Sequence, residues 1–200
     1  MILLIGSKGS MGLRYSAIFN YLNIKFIGVD RETSLEKIAE LSMNCDKILI
    51  ATPTDTHFEI LKYLIPLDKN ILCEKPISKN IKEIETIIKL VNESKSKLNM
   101  VFQYGELVHN SEGESIYDYY RSGNDGLNWD CLQIIALSNY FTTIRNKSPI
   151  WTCKINGLSL SIADMDRAYI TFIKSWINGN LNQNLLWILE CHKKVEEYGH

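Results

Sequence analysis

Short apolar runs and segments of helical period take turns along the first hundred residues of the chain. Residues 2–5, 25–29, 47–51, 70–73 and 99–103 are short, nearly continuously apolar and bounded by Gly, Asp, Pro or Asn. Strands buried on both faces read this way. Between them, residues 11–21, 34–41, 56–64 and 80–92 carry apolar positions at helical spacing. In the last of these, Ile81, Ile84, Ile87, Ile88 and Val91 share one face, with Lys and Glu opposite. Strand alternating with helix in this way predicts a doubly wound α/β domain over residues 1–104, its parallel sheet closed by right-handed crossovers.

The pattern changes after Tyr104. Residues 105–113 are polar and loop-like, 114–121 predict a tyrosine-rich helix, and Ser122-Gly123-Asn124-Asp125-Gly126 is a turn cluster. Residues 130–139 predict a further helix. Residues 151–155 and 158–162 flank Asn156-Gly157, a hairpin signal because the tight hairpin turn needs positive φ at its centre. Residues 164–178 predict a helix with Asp164 as N-cap and Gly179 as its stop, and 184–197 a last helix. Residues 105–200 therefore predict a small α+β domain.

Composition narrows the class without naming the chemistry. Hydrophobic residues make up 46% and charged residues 22% of 200, ordinary values for a globular protein. A net charge of -1 gives no pull toward nucleic acid or anionic membrane, so neither is expected as a partner. Cys45, Cys73, Cys131, Cys153 and Cys191 form no CxxC pair and read as reduced thiols of a cytoplasmic protein. The apolar opening ends at Gly6, too short for a signal peptide or a membrane span. His109, His192 and His200 share no ligand spacing, and no metal is expected. Trp151, Trp176, Trp187 and several isoleucines crowd the smaller half. That is more apolar surface than a small layer easily hides, so a homodimer or higher homo-oligomer is expected.

Three motifs carry chemistry. Gly6-Ser7-Lys8-Gly9-Ser10-Met11-Gly12 follows the first strand and opens the first helix. Glycines there allow a tight turn, close approach of a pyrophosphate to backbone N–H groups, and close helix–strand packing. The spacing is GxxGxxG, one residue longer than the commonest dinucleotide fingerprint. Asp30 ends the second strand, where a carboxylate can hold ribose hydroxyls and repel a 2′-phosphate; this favours NAD. Arg31 beside it and Lys8 in the loop could tolerate that phosphate, so NADP stays possible. Ala51-Thr52-Pro53-Thr54-Asp55-Thr56-His57-Phe58-Glu59 follows the third strand, and Leu72-Cys73-Glu74-Lys75-Pro76 ends the fourth. Both fall at C-terminal strand ends, where open α/β sheets bind ligands.

With the glycine loop, these segments resemble the Gfo/Idh/MocA oxidoreductase family, whose members carry an A-T-P-N-x-x-H-x-E-like segment followed by E-K-P. The resemblance covers residues 1–104. It implies that Gly6, Ser7, Lys8, Gly9, Ser10, Met11 and Gly12 hold the pyrophosphate, and that Asp30 and Arg31 meet the adenosine ribose. Thr52 and Pro53 would line the nicotinamide half, His57 would support that loop, and Glu74 would contact the nicotinamide ribose. Lys75 would be the acid–base residue at the substrate's reacting oxygen, aimed by a cis peptide before Pro76. The implied activity is NAD(P)-dependent hydride transfer to or from a small sugar, polyol or derivative.

The resemblance thins after Tyr104. Family members carry a D-x-G-x-H-like motif in a larger second domain, usually the means of their association. Trp129-Asp130-Cys131-Leu132-Gln133-Ile134 takes its place here without the glycine or the histidine. Asp130 is then a substitute acid or substrate ligand, or else the N-cap of the helix that follows. The alternative function is a non-catalytic dinucleotide-binding sensor or interaction protein of the same family, which includes a transcriptional co-repressor.

Overall fold

A computed structural model describes residues 1–108, 113–119, 129, 131–138, 142–146 and 152–198. The chain divides into two units, Met1–Val101 with Leu181–Leu185, and Phe102–Asn180 with Leu186–His200. In the first unit, strands β1 (Ile2–Ile5), β2 (Phe26–Val29), β3 (Lys47–Ile50), β4 (Asn70–Cys73) and β5 (Lys97–Met100) alternate with helices. These helices are α1 (Ser10–Tyr21), α2 (Leu35–Ser42), α3 (His57–Leu64) and α4 (Ile81–Asn92).

The sheet is parallel throughout, in the order β2-β1-β3-β4-β5. Leu3, Leu4, Ile48, Leu49, Ile50, Ile71, Leu72 and Cys73 are completely buried, which is why these strands read as unbroken apolar runs rather than alternating ones. α4 buries Ile84, Ile87 and Val91, the inner stripe of the face read from the sequence.

Register positions the site. Ile5 pairs with Val29 and Ile50, Ile50 with Cys73, and Cys73 with Met100. One row of residues therefore ends all five strands together. The next residue of each chain segment, Gly6, Asp30, Ala51 and Glu74 among them, opens onto the same carboxyl edge. The order reverses between β1 and β3, making the switch point at which such sheets bind ligands.

β5 starts two and ends three residues earlier than its apolar pattern suggests, because burial of Val101 and Phe102 continues past the end of the strand. Its open edge is covered by the returning segment. The Gln183 Oε1 accepts from the Met100 N–H at 2.7 Å and its Nε2 donates to the Met100 carbonyl at 2.9 Å. The Gln183 N–H donates to Asn99 Oδ1 at 3.0 Å. One amide side chain thus satisfies backbone groups that a further strand would otherwise pair.

The second unit holds a four-stranded sheet of order β7-β6-β8-β9. Its strands are β6 (Ser115–Tyr119), β7 (Thr142–Asn146), β8 (Thr152–Ile155) and β9 (Leu158–Leu160). β6 pairs parallel with β7 and antiparallel with β8. The helix expected over 114–121 is therefore a strand, and β7 carries no expectation from the sequence. Ser115 explains part of this: its buried hydroxyl accepts from the Asn156 N–H at 3.0 Å, anchoring β6 to the hairpin turn. Tertiary contacts of that kind decide strand formation more than local sequence does.

The hairpin itself is present, with Asn156 at φ 47° and Gly157 at φ 83°, the two positive values that the expected turn demands. α5 (Leu132–Leu137) follows Cys131, which stands at the N-cap position; Asp130 lies outside the described residues. α6 (Ile162–Ile177) starts from Ser161, not Asp164. The Ser161 hydroxyl accepts from the Asp164 N–H, and the Asp164 carboxylate accepts from the Ser161 N–H. Asp164 is the third helical residue of a capping box. Gly179, at φ 77°, ends the helix as expected.

α7 (Leu185–Tyr198) is the last helix. The core of this unit gathers Tyr104, Ile134, Cys153, Ile155 and Leu160, with Leu107, Val108, Tyr117, Leu137 and Met165 packed against it. Trp176 is completely buried and Trp187 meets Phe102 edge-on at 4.7 Å; Trp151 lies outside the described residues. All five cysteines are buried and none is in a disulfide. Burial pushes the Cys153 and Cys191 thiols up to about 12. No helix of the described residues is long and apolar enough to cross a membrane.

Candidate functional site

The glycine loop owes its shape to three different demands. Gly6 sits at φ 87°, and a Cβ there would lie 2.6 Å from the Ala51 carbonyl oxygen. A Cβ on Gly12 would fall 2.0 Å from the Gly6 carbonyl oxygen and 2.7 Å from Ser7 Cα. These two glycines are required by the protein's own packing. Gly9 differs: its Cβ would meet the Gly6 carbonyl oxygen at an ordinary 3.5 Å, and Gly9 lines a cavity. The protein's own packing therefore does not demand a glycine at this position.

Gly9 is also the N-cap of α1 and offers no side-chain cap, and the first turn carries no acidic residue. The leading N–H groups of a helix lack intrahelical acceptors and carry its positive dipole end, so this terminus suits an anion. The cavity, of about 720 Å³, is lined by Gly6, Lys8, Gly9, Asp30, Arg31, Glu32, Ala51, Thr52, Pro53 and Thr56, with Ile5, Leu35, Ile38 and Ile60 as its apolar wall. It lies at the β1–β3 switch point, and its volume is in the range of small-molecule and cofactor sites.

Asp30 is held by the loop. Its Oδ2 accepts from the Lys8 N–H at 2.7 Å and its Oδ1 from the Arg31 N–H at 2.9 Å. Those two backbone donors, first that of Arg31, hold its carboxyl below the usual range, with the Lys8 and Arg31 charges adding to them. Each oxygen keeps a further lone pair for a ligand hydroxyl.

The ring of His57 is completely buried between two loops. Nδ1 lies 2.9 Å from the Pro76 carbonyl oxygen and Nε2 2.9 Å from that of Thr52. One imidazole therefore fixes the loop after β3 to the loop after β4. The Thr56 hydroxyl lies 2.8 Å from both the Thr52 hydroxyl and the Pro53 carbonyl oxygen, tightening the same turn.

Glu74 is 6% exposed. Its Oε1 accepts from the Tyr15 hydroxyl at 2.5 Å and its Oε2 from the Lys75 N–H at 3.1 Å. The Lys75–Pro76 peptide is cis, and Lys75 is half-buried.

Seven of the residues named from the sequence thus line one cavity: Gly6, Lys8, Gly9, Asp30, Arg31, Thr52 and Pro53. Ser7, Ser10, Met11, Gly12, His57, Glu74 and Lys75 are not among its lining. Ser7 and Gly12 shape the loop from behind, and Ser10 is exposed at the start of α1. Two participants escape the sequence motifs. Glu32 follows Asp30-Arg31 directly, so a run of charge at a strand end was the available signal. Tyr15 had none, because its partner is 59 positions away.

Residues 17–102 match the family model described as "Oxidoreductase family, NAD-binding Rossmann fold". The match begins beyond the glycine loop, which stands on the geometry above. An inositol 2-dehydrogenase of Rhizobium meliloti is 35% identical over 63 residues, 32% of this chain and 19% of that protein. An uncharacterized oxidoreductase of Schizosaccharomyces pombe is 27% identical over 113 residues, 48% of this chain and 30% of its own length. The matched stretches are thus less than a third of the curated relatives. The WlbA (WbpB) dehydrogenase of Thermus thermophilus, crystallised with NAD and UDP-GlcNAcA, shares the fold with a TM-score of 0.69. That superposition covers 97% of this chain and 92% of that chain at 12% identity. Residues 17–102, within the parallel-sheet unit, are thus similar to the NAD-binding domain of the Gfo/Idh/MocA oxidoreductases.

Proposed function

We propose that this chain is an NAD-dependent oxidoreductase acting on a small polar substrate, a sugar, polyol or derivative, with Lys75 as its acid–base residue. The observation that carries the reading is the place of Gly9: it is the N-cap of a helix without a side-chain cap, it lines the cavity, and the protein's own packing leaves room there. The residues fit a dinucleotide. The N–H groups of the loop and of the first turn of α1 hold the pyrophosphate, and Asp30 accepts from the adenosine ribose hydroxyls. Thr52 and Pro53, braced by His57, border the nicotinamide half, and Glu74 takes the nicotinamide ribose.

When bound, nicotinamide supplies hydride acceptance or donation. The protein must move the accompanying proton. In the oxidising direction the Lys75 Nζ takes the proton of the substrate hydroxyl; in reduction it returns one to the new alkoxide oxygen. A homo-oligomer belongs to the same proposal, resting on the exposed Leu158, Ile162 and Leu186 of the second unit rather than on the buried Trp176; light scattering at micromolar concentration tests it, and a monomer overturns it.

Titration of NAD(H) by calorimetry or nicotinamide fluorescence, followed by a screen of sugars, polyols and their acids for NADH absorbance change, tests the activity. Binding with turnover of one substrate class supports it. Tight binding without turnover of any favours the sensor reading, and no binding removes both.

A further inference from the structure

We infer that Glu32 sets the cofactor preference by occupying the two cations, Lys8 and Arg31, that would otherwise receive a 2′-phosphate. The inference rests on the dinucleotide reading above and concerns the adenosine end of the same cavity.

The mouth of the cavity next to Asp30 carries four charged side chains: Lys8, Asp30, Arg31 and Glu32. Asp30 meets Lys8 and Arg31 through their backbone N–H groups, one on each carboxylate oxygen, so the side-chain cations of these residues can take other partners. Glu32 supplies one. Its Oε2 lies 3.5 Å from Lys8 Nζ and its Oε1 3.8 Å from Arg31 Nε, one oxygen to each cation.

The carboxyl of Glu32 is held below its usual range, first by its own backbone N–H and then by the Lys8 charge. It is ionised throughout the neutral range. All three side chains are well exposed, at 74% for Lys8, 90% for Arg31 and 61% for Glu32. Ion pairs this exposed contribute little to stability. Their consequence lies in what they do to an arriving charge.

With two positive and two negative side chains, the mouth is neutral. A ribose 2′-hydroxyl is indifferent to that balance. A 2′-phosphate brings close to two negative charges, meets the Glu32 carboxylate, and finds both cations already engaged. Removing the Glu32 charge leaves a net positive mouth with a free ammonium and guanidinium, the latter able to bind phosphate oxygens in pairs. Arg31 and Lys8, which taken alone leave NADP possible, are thus turned toward NAD by the third residue of the same run.

Glu32→Gln tests this by direct binding, titrating NAD and NADP separately into wild type and variant. The expected result is NADP binding tighter by about tenfold, the size of one or two unit-charge contacts in water, with NAD affinity unchanged within about threefold. The gain should shrink as ionic strength rises from about 0.05 to 0.5 M, and Glu32→Asp should keep the wild-type order of preference. An unchanged NADP-to-NAD ratio in a protein that binds NAD overturns the inference while leaving the site intact. Equal weakening of both cofactors overturns it too, because Glu32 would then only be shaping the loop. Failure of the wild type to bind either cofactor refutes the site and this inference with it.

Discussion

The Tyr15 hydroxyl donates a 2.5 Å hydrogen bond to Glu74 Oε1, joining the helix that follows the glycine loop to the strand end that carries Lys75. Both side chains are buried, so no water stands ready to replace the bond. The other carboxylate oxygen accepts from the Lys75 N–H. Glu74 thereby ties α1 to the start of the loop after β4.

Tyr15→Phe removes only the hydroxyl and strands a buried carboxylate oxygen. Hydrogen bonds to charged groups contribute about 1.5–3 kcal/mol, and the variant should lose stability in that range by chemical denaturation. A loss under about 0.5 kcal/mol would mean that the bond carries no weight.

Lys75→Met keeps the length of the side chain and deletes its proton-carrying group. Acid–base groups typically contribute about 10²–10⁴ in rate, and turnover should fall by that factor. NAD affinity should hold within about threefold, since the cavity lining is untouched. Normal turnover of an identified substrate by the variant would refute the role of Lys75.

In the second unit, His192 is completely buried on α7, its Nδ1–H donating to the Ile188 carbonyl at 2.7 Å. Burial lowers its pKa from 6.5 to about 4, opposed only in part by that hydrogen bond. The unfolded chain binds the proton first, so the His192 contribution is full above about pH 6.5 and is lost as pH falls toward 4. The difference corresponds to roughly 3 kcal/mol. Denaturation series at pH 7 and pH 4.5 should show less of this loss in His192→Gln than in wild type; equal losses would place the acid sensitivity elsewhere.

Much of the first unit was legible because its strands are buried on both faces. Such strands read as apolar runs, and the ligand motifs sit where those runs end. Asn156-Gly157 was legible for a different reason, since few residue pairs tolerate positive φ at both positions. What stayed hidden depended on distant partners. Residues 115–119 form a strand inside the stretch where a tyrosine-rich helix is expected, because Ser115 is fixed by Asn156 and the segment is flanked by two other strands. The pairing of Tyr15 with Glu74 has no local trace. Asp164 shows a smaller displacement: its capping role was legible, but it sits three residues inside the helix with Ser161 as its partner.

The central claim is that the cavity over the glycine loop is a dinucleotide site, and Gly9 tests it most directly. A Cβ at Gly12 clashes with the protein, whereas a Cβ at Gly9 meets only an ordinary contact, so Gly9→Ala should fold as wild type does. Calorimetric titration of NADH into both proteins, with thermal unfolding of each as control, separates the cases. The account predicts binding to wild type and a Kd raised at least about tenfold in Gly9→Ala, a loss of about 1.4 kcal/mol, at an unchanged unfolding temperature. NADH binding that is equally tight in the two proteins, or absent from wild type, would contradict it.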